Sequence, residues 1–185
     1  MIIIPGFVIN AVTFVIFMFT FPGIILHEIA HKFFCDRYQI PVYDVKFFAV
    51  SRNAGHVVHA VVDDSRKNAI IGLAPLFINS VVCLLLLTPE LLPLATGTSF
   101  ANTYTLSDIF LIWVGFSCGL NALPSQADID HVDQSVSWSL ICGKRLAQVF
   151  NCFGFFGNCL WVAALFMVPY YIFGPFFLRI LQIFL

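Results

Sequence analysis

The chain has 185 residues, of which 60% are hydrophobic and only 10% charged, with a formal net charge of −1. Soluble domains carry about 25% charged residues, so a water-soluble globule is excluded, and the near-neutral balance offers no electrostatic footprint for nucleic acid. Long apolar stretches almost free of charge predict one membrane-embedded domain over 1–185.

The first apolar segment runs from about Gly6 to Phe34, interrupted by Pro22-Gly23 and by a charged motif at 27–31. No basic region precedes it, and the run passes Met18 straight into that motif, which reads as a span rather than a cleavable leader. Residues 40–62 break the helical pattern. Val42, Val45, Phe47, Phe48, Val50, Val57, Val58, Val61 and Val62 are strand formers around Ser51-Arg52-Asn53-Ala54-Gly55, predicting a short β-hairpin or two short strands at the membrane surface.

Three more apolar segments follow, at about Asn68–Leu87, Leu106–Leu123 and from Phe150 onward. Each approaches the roughly 20 residues needed to cross a hydrocarbon core. The final stretch, 146–185, is long for one span, and Pro169 and Gly174-Pro175 are expected to kink it. The expected fold class is therefore an all-α integral membrane protein of about four transmembrane helices, with a core over about 7–130 and a C-terminal span over about 146–185. The basic residues Lys32, Arg37, Lys46, Arg52, Arg66 and Lys67, then Lys144 and Arg145, place 32–67 and 124–149 in the cytoplasm and both termini outside. A prokaryotic plasma membrane is the expected location. Six cysteines (35, 83, 118, 142, 152, 159) lack CxxC spacing and read as small buried hydrophobes.

The chemistry sits at His27-Glu28-Ile29-Ala30-His31, an HExxH sequence. Residues i and i+4 share one helix face, so both imidazoles can reach one metal ion, and Glu28 lies close enough to take a proton from a water there. Zinc lowers the pKa of such a water towards ~7. With 5 histidines and two glutamates in the chain, the pattern arises by chance about 0.001 times. Three ionisable groups inside an apolar span are costly and mark a functional site. The helical distance from His27 to Arg37 is ~15 Å, which sets the site inside the bilayer near its cytoplasmic face.

A hydrolytic zinc site normally takes a third protein ligand. Pro124 is expected to end or kink the third span, leaving Asp128, Asp130, His131 and Asp133 on the correct side. Asp128, nearest the helix end, needs the shortest return into the bundle. His56 and His59 are rivals, but residues three apart in a strand face opposite ways and cannot both chelate one ion.

These features together resemble the site-2 protease family of intramembrane zinc metalloproteases. The resemblance covers about 20–130: HExxH on the first core span, a β-rich segment, a second span opening near Pro75 with Asn79, and a third ending in Asn121-x-x-Pro124 followed by Asp. It implies one Zn2+ per chain, held by His27, His31 and an Asp after Pro124, with Glu28 as general base. It also implies contacts of Asn79 and Asn121 with substrate or oxyanion, and pairing of the β segment, including Gly55-His56-Val57-Val58, with an unwound substrate. The family pattern Asn-x-x-Pro-x-x-x-Leu-Asp-Gly is not kept, since Asp128 falls one residue early and Asp130 one late, and Asn79 sits one place later than usual.

The expected function is an intramembrane zinc endopeptidase that cuts within or near transmembrane segments of membrane proteins. The alternative is a non-hydrolytic zinc-binding membrane protein, against which the intact Glu28 argues. A di-iron site would need a second ExxH, and the only other glutamate, Glu90, precedes Leu91, Leu92 and Pro93.

Overall fold

The computed structural model describes residues 14–49, 55–96, 104–130, 132 and 135–167. Among them the chain is mostly helical, with one two-stranded antiparallel sheet. Helical residues 14–19 lead into helix α1, Phe21–Arg37, which has a proline in its first turn, where a missing N–H is harmless. Gln39 ends α1 with a positive φ of 58°. The Ile40 N–H then bonds the Cys35 carbonyl at 2.9 Å and the Gln39 N–H bonds that of Asp36 at 3.1 Å. This closed C-terminus reverses the chain.

The reversed chain forms strand β1, Val42–Lys46, which pairs with strand β2, His56–His59, in the register Asp44↔Val58, Val45↔Val57 and Lys46↔His56. The pair runs back along α1. Phe48 lies against Phe21, ring centroids 5.9 Å apart, and Gly55 lies against the side chain of Glu28. The β-hairpin expectation holds.

Asp64 caps helix α2, Ser65–Thr96, by accepting the N–H groups of Arg66 and Lys67 at 2.9 and 3.1 Å. Helix α3, Leu106–Leu120, opens with a capping box between Thr105 and Asp108 and ends at Asn121, three residues before Pro124. A short helix α4, Gln126–Asp130, then helix α5, Trp138–Asn151, and helix α6, Phe155–Met167, complete the described chain.

Helices α1, α2 and α3 pack on one another. Leu26, Cys83, Leu87, Ile112 and Cys118 fill one core cluster, with Leu165 of α6 against it. Ala69, Leu73, Ile129, Val132 and Ala147 form a second, which holds α4 between α2 and α5. Among the described residues, Ser65–Pro89 is the one helix long and apolar enough to cross a membrane, while α3 and α6 are shorter apolar helices. The expected second span is thus longer than its apolar stretch, since the polar residues 65–67 join its first turn under the Asp64 cap. The expected last span is divided by a turn at 152–154, and Pro169 and Gly174-Pro175 lie outside the described residues. Cys35, Cys83 and Cys118 are buried as expected. Cys142, Cys152 and Cys159 are instead exposed among the described residues.

Candidate metal centre

His27 and His31 stand one turn apart on α1, and their Nε2 atoms are 3.2 Å apart. Each ring is anchored from behind. His27 Nδ1 lies 2.8 Å from the carbonyl oxygen of Asn121, and His31 Nδ1 lies 2.9 Å from that of Ile71. A carbonyl only accepts, so Nδ1 carries a proton in both rings, and the two Nε2 atoms are turned towards each other.

Asp128 completes the group. Its Oδ1 is 3.6 Å from His31 Nε2 and its Oδ2 is 3.8 Å from His27 Nε2. One ligand atom from each of the three residues falls within 4.8 Å of the others, and the group could hold a metal ion. The donor set favours one. Two lone pairs and a carboxylate converging on one point repel unless a proton or a cation lies between them, and outward-anchored imidazoles are how proteins orient metal ligands. Burial alone would raise the Asp128 carboxyl, but its polar contacts with His27 and His31 override this and hold it far below the usual carboxylate range.

Two local devices bring Asp128 to the histidines. Ser125 and Asp128 form a reciprocal cap on α4: the Ser125 N–H donates to Asp128 Oδ2 at 2.7 Å, and the Asp128 N–H donates to Ser125 Oγ at 3.3 Å. This fixes the carboxylate rotamer. Gly72 of α2 then allows the approach, because a Cβ there would sit 2.4 Å from the Asp128 carbonyl oxygen.

Glu28 is buried beside the pair, at 8% exposure. It lines two cavities of about 490 and 480 Å³, both of which also reach His27, Gly55 and Ser125. Gly55 is packed onto it so closely that a Cβ would lie 2.7 Å from Glu28 Cγ.

The remaining candidates separate. Asp130 is exposed and accepts a hydrogen bond from Gln126 Nε2 at 2.6 Å, away from the group, while His131 and Asp133 lie outside the described residues. Asn79 is fully buried; its Nδ2 donates to the carbonyls of Gly23 and Asn121 at 3.0 and 2.9 Å. Asn121 borders the 480 Å³ cavity, but its Nδ2 is committed to the carbonyls of Thr20 and Ser117 at 3.3 and 2.9 Å. Both asparagines therefore brace the helices around His27.

His56 and His59 both border the 490 Å³ cavity, contrary to the strand alternation expected of them. His59 still pairs with Val42, but across an irregularity in the ladder between Val42 and Asp44. Neither belongs to the metal-holding group. Ser125 and Gly72 were missed by the sequence reasoning. Ser125-x-x-Asp128 is a capping-box pattern and could have been found; the need for glycine at 72 depends on tertiary contact.

Compared with protein-family models, curated proteins and solved structures, the chain matches none.

Proposed function

We propose that the chain is a membrane-embedded zinc hydrolase that cleaves peptide bonds within or near transmembrane segments of other proteins, similar in design to the site-2 proteases. One observation carries the reading: two back-anchored imidazoles and a capped carboxylate converge beside a buried glutamate in a cavity. Ligand atoms 2.0–2.1 Å from a tetrahedral ion lie about 3.3 Å apart. The 3.2 Å between the two Nε2 atoms suits that ion, and the 3.6 and 3.8 Å to Asp128 need only a small closure.

Zinc, when bound, supplies Lewis acidity, which makes water a nucleophile near neutral pH and polarises a carbonyl. The chain supplies the rest. His27, His31 and Asp128 would hold the ion. Glu28, adjacent in sequence and facing the same cavities, takes the proton of the attacking water and delivers it to the leaving amine. The backbone of Asn121 and Ile71 fixes ring orientation. The exposed edge of the β1–β2 pair, alongside Glu28 at Gly55, can hold an unwound substrate extended by strand addition.

The membrane reading is supported by the outward face of α2. Phe77, Val81 and Leu85, spaced four apart, form an apolar stripe with 54, 54 and 69% exposure. Water does not favour such a stripe; lipid does.

The test is purified chain in detergent, offered a library of single-span peptides. Wild type is expected to cut a subset. Glu28→Gln is expected to retain metal and lose turnover by at least ~100-fold, since an amide cannot take the proton. Equal turnover in Glu28→Gln would remove the assigned base.

A further inference from the structure

Among the described residues, His56 is the one cavity histidine that neither the metal group nor a backbone hydrogen bond accounts for. Around the 490 Å³ cavity, His27 and His31 have Nδ1 on backbone carbonyls and Nε2 towards each other, and His59 has Nδ1 on its neighbour's carbonyl, that of Ala60, at 2.8 Å. His56 is instead paired with a carboxylate: its Nε2 lies 2.8 Å from Asp44 Oδ2. The strand register builds this pair. His56 faces Lys46 across the ladder, and Asp44, two residues before Lys46, lies on the diagonal.

The hydrolytic reading leaves a gap that this histidine fits. Hydroxide attack on a carbonyl builds negative charge on its oxygen, and a second donor besides a metal stabilises that charge strongly. The amide groups of Asn79 and Asn121 are committed to backbone carbonyls, as described above. Among the described residues, no lysine or arginine lines the cavity. Gly55, immediately before His56, is packed against Glu28, and His56 and Glu28 line the same cavity.

We propose that His56 is a further catalytic residue of this site, an imidazole braced by Asp44 that donates a hydrogen bond to an anionic oxygen at the metal centre. This rests on the metal-hydrolase reading above. With Nε2 on Asp44, Nδ1 is the ring atom left to donate, which it does when both ring nitrogens carry a proton. Reciprocally, the hydrogen bond from His56 holds the Asp44 carboxyl below its ordinary range. Among the described residues, Asp44 and Lys46 flank His56 across the strand pair, and the other titratable groups that share its cavity are His59, His27, Glu28, His31 and Asp128. The donor acts only as a hydrogen-bond partner; no bond is made or broken at His56.

The experiment uses the full chain in detergent loaded with Co2+, whose d–d absorption reports ligands at the metal. Acetohydroxamate, an anionic oxygen ligand, and 1-methylimidazole, a neutral nitrogen ligand, are titrated into wild type, His56→Ala, His56→Gln and Asp44→Asn. Loss of a charge-assisted hydrogen bond predicts about 10-fold or weaker acetohydroxamate binding in both His56 variants, a smaller loss in Asp44→Asn, and unchanged 1-methylimidazole binding throughout. A normal Co2+ spectrum with unchanged acetohydroxamate affinity in the His56 variants overturns the role of His56 while leaving the metal centre standing. Equal weakening of both ligands makes His56 a structural residue and also overturns it. If wild type gives no Co2+ spectrum, the metal-centre reading itself fails, and the role of His56 falls with it.

Discussion

His27 and Asn79 share one acceptor: the carbonyl oxygen of Asn121 receives the His27 Nδ1–H at 2.8 Å and the Asn79 Nδ2–H at 2.9 Å. Asn79 also donates to the Gly23 carbonyl, so a single fully buried carboxamide ties α2 to α1 and to the end of α3. The His27 ring is therefore only as well placed as this three-helix junction. Asn79→Ala removes both donors and should weaken metal affinity by about 10-fold without removing a ligand. Competition against a chromophoric chelator measures it. Affinity within 2-fold of wild type would make Asn79 irrelevant to His27.

Gly72 and Asp128 provide a second test from a residue that carries no chemistry. A Cβ at position 72 would meet the Asp128 carbonyl oxygen at 2.4 Å, and the obstacle is backbone, which cannot rotate aside. Gly72→Val should displace α4 and lower metal affinity by more than ~10-fold, while Gly143→Ala, whose added methyl meets only side chains from 3.3 Å outward, should leave it unchanged. Retained affinity in Gly72→Val would mean that the α4 turn can shift without carrying Asp128 away.

The metal-free protein should show Asp128 in its pH dependence. The folded carboxyl is held below its ordinary range despite its burial, through its contacts with the two histidines. A depressed folded value contributes stability that is present above the unfolded value of about 3.9 and is lost as pH falls through the folded one. In chelator-treated protein, Asp128→Asn should melt below wild type at pH 7, and the gap should shrink on strong acidification. A gap that is constant from pH 7 into that acid range would remove the charge from the account.

The distribution of basic residues predicts a topology that labelling can check. Cysteine introduced at Asp63, just before α2, should react with an impermeant maleimide from the cytoplasmic side, and cysteine at Ser107, at the start of α3, from the opposite side. Labelling of both from one side would contradict a membrane crossing by α2.

Much of the centre was legible because its signals are local. HExxH places two imidazoles on one face by helical period alone, and Pro124, just past the end of α3, singles out Asp128 as the nearest acid; the Ser125-x-x-Asp128 cap was equally local but went unread. The β segment was legible from its valines and from Asn53 and Gly55. The roles of Asn79 and Asn121 were not, because a carboxamide looks the same whether it meets substrate or a helix carbonyl; here packing commits both to backbone. The division of the last segment at 152–154 was hidden as well, since Phe153, Phe155 and Phe156 keep it apolar through the turn. His56 was discounted on strand alternation, which says nothing of what lies beside a strand's end.

The most direct measurement of the central claim is zinc content with X-ray absorption of the bound metal in wild type, His31→Ala, Asp128→Ala and Asp130→Ala. Wild-type protein should carry about one zinc per chain, with two nitrogen ligands at about 2.0–2.1 Å and oxygen at about 2.0–2.2 Å. His31→Ala and Asp128→Ala should lose the metal under modest chelation, and Asp130→Ala should keep it. Wild-type protein without stoichiometric zinc, or full occupancy in Asp128→Ala with loss in Asp130→Ala, would contradict the site assigned here.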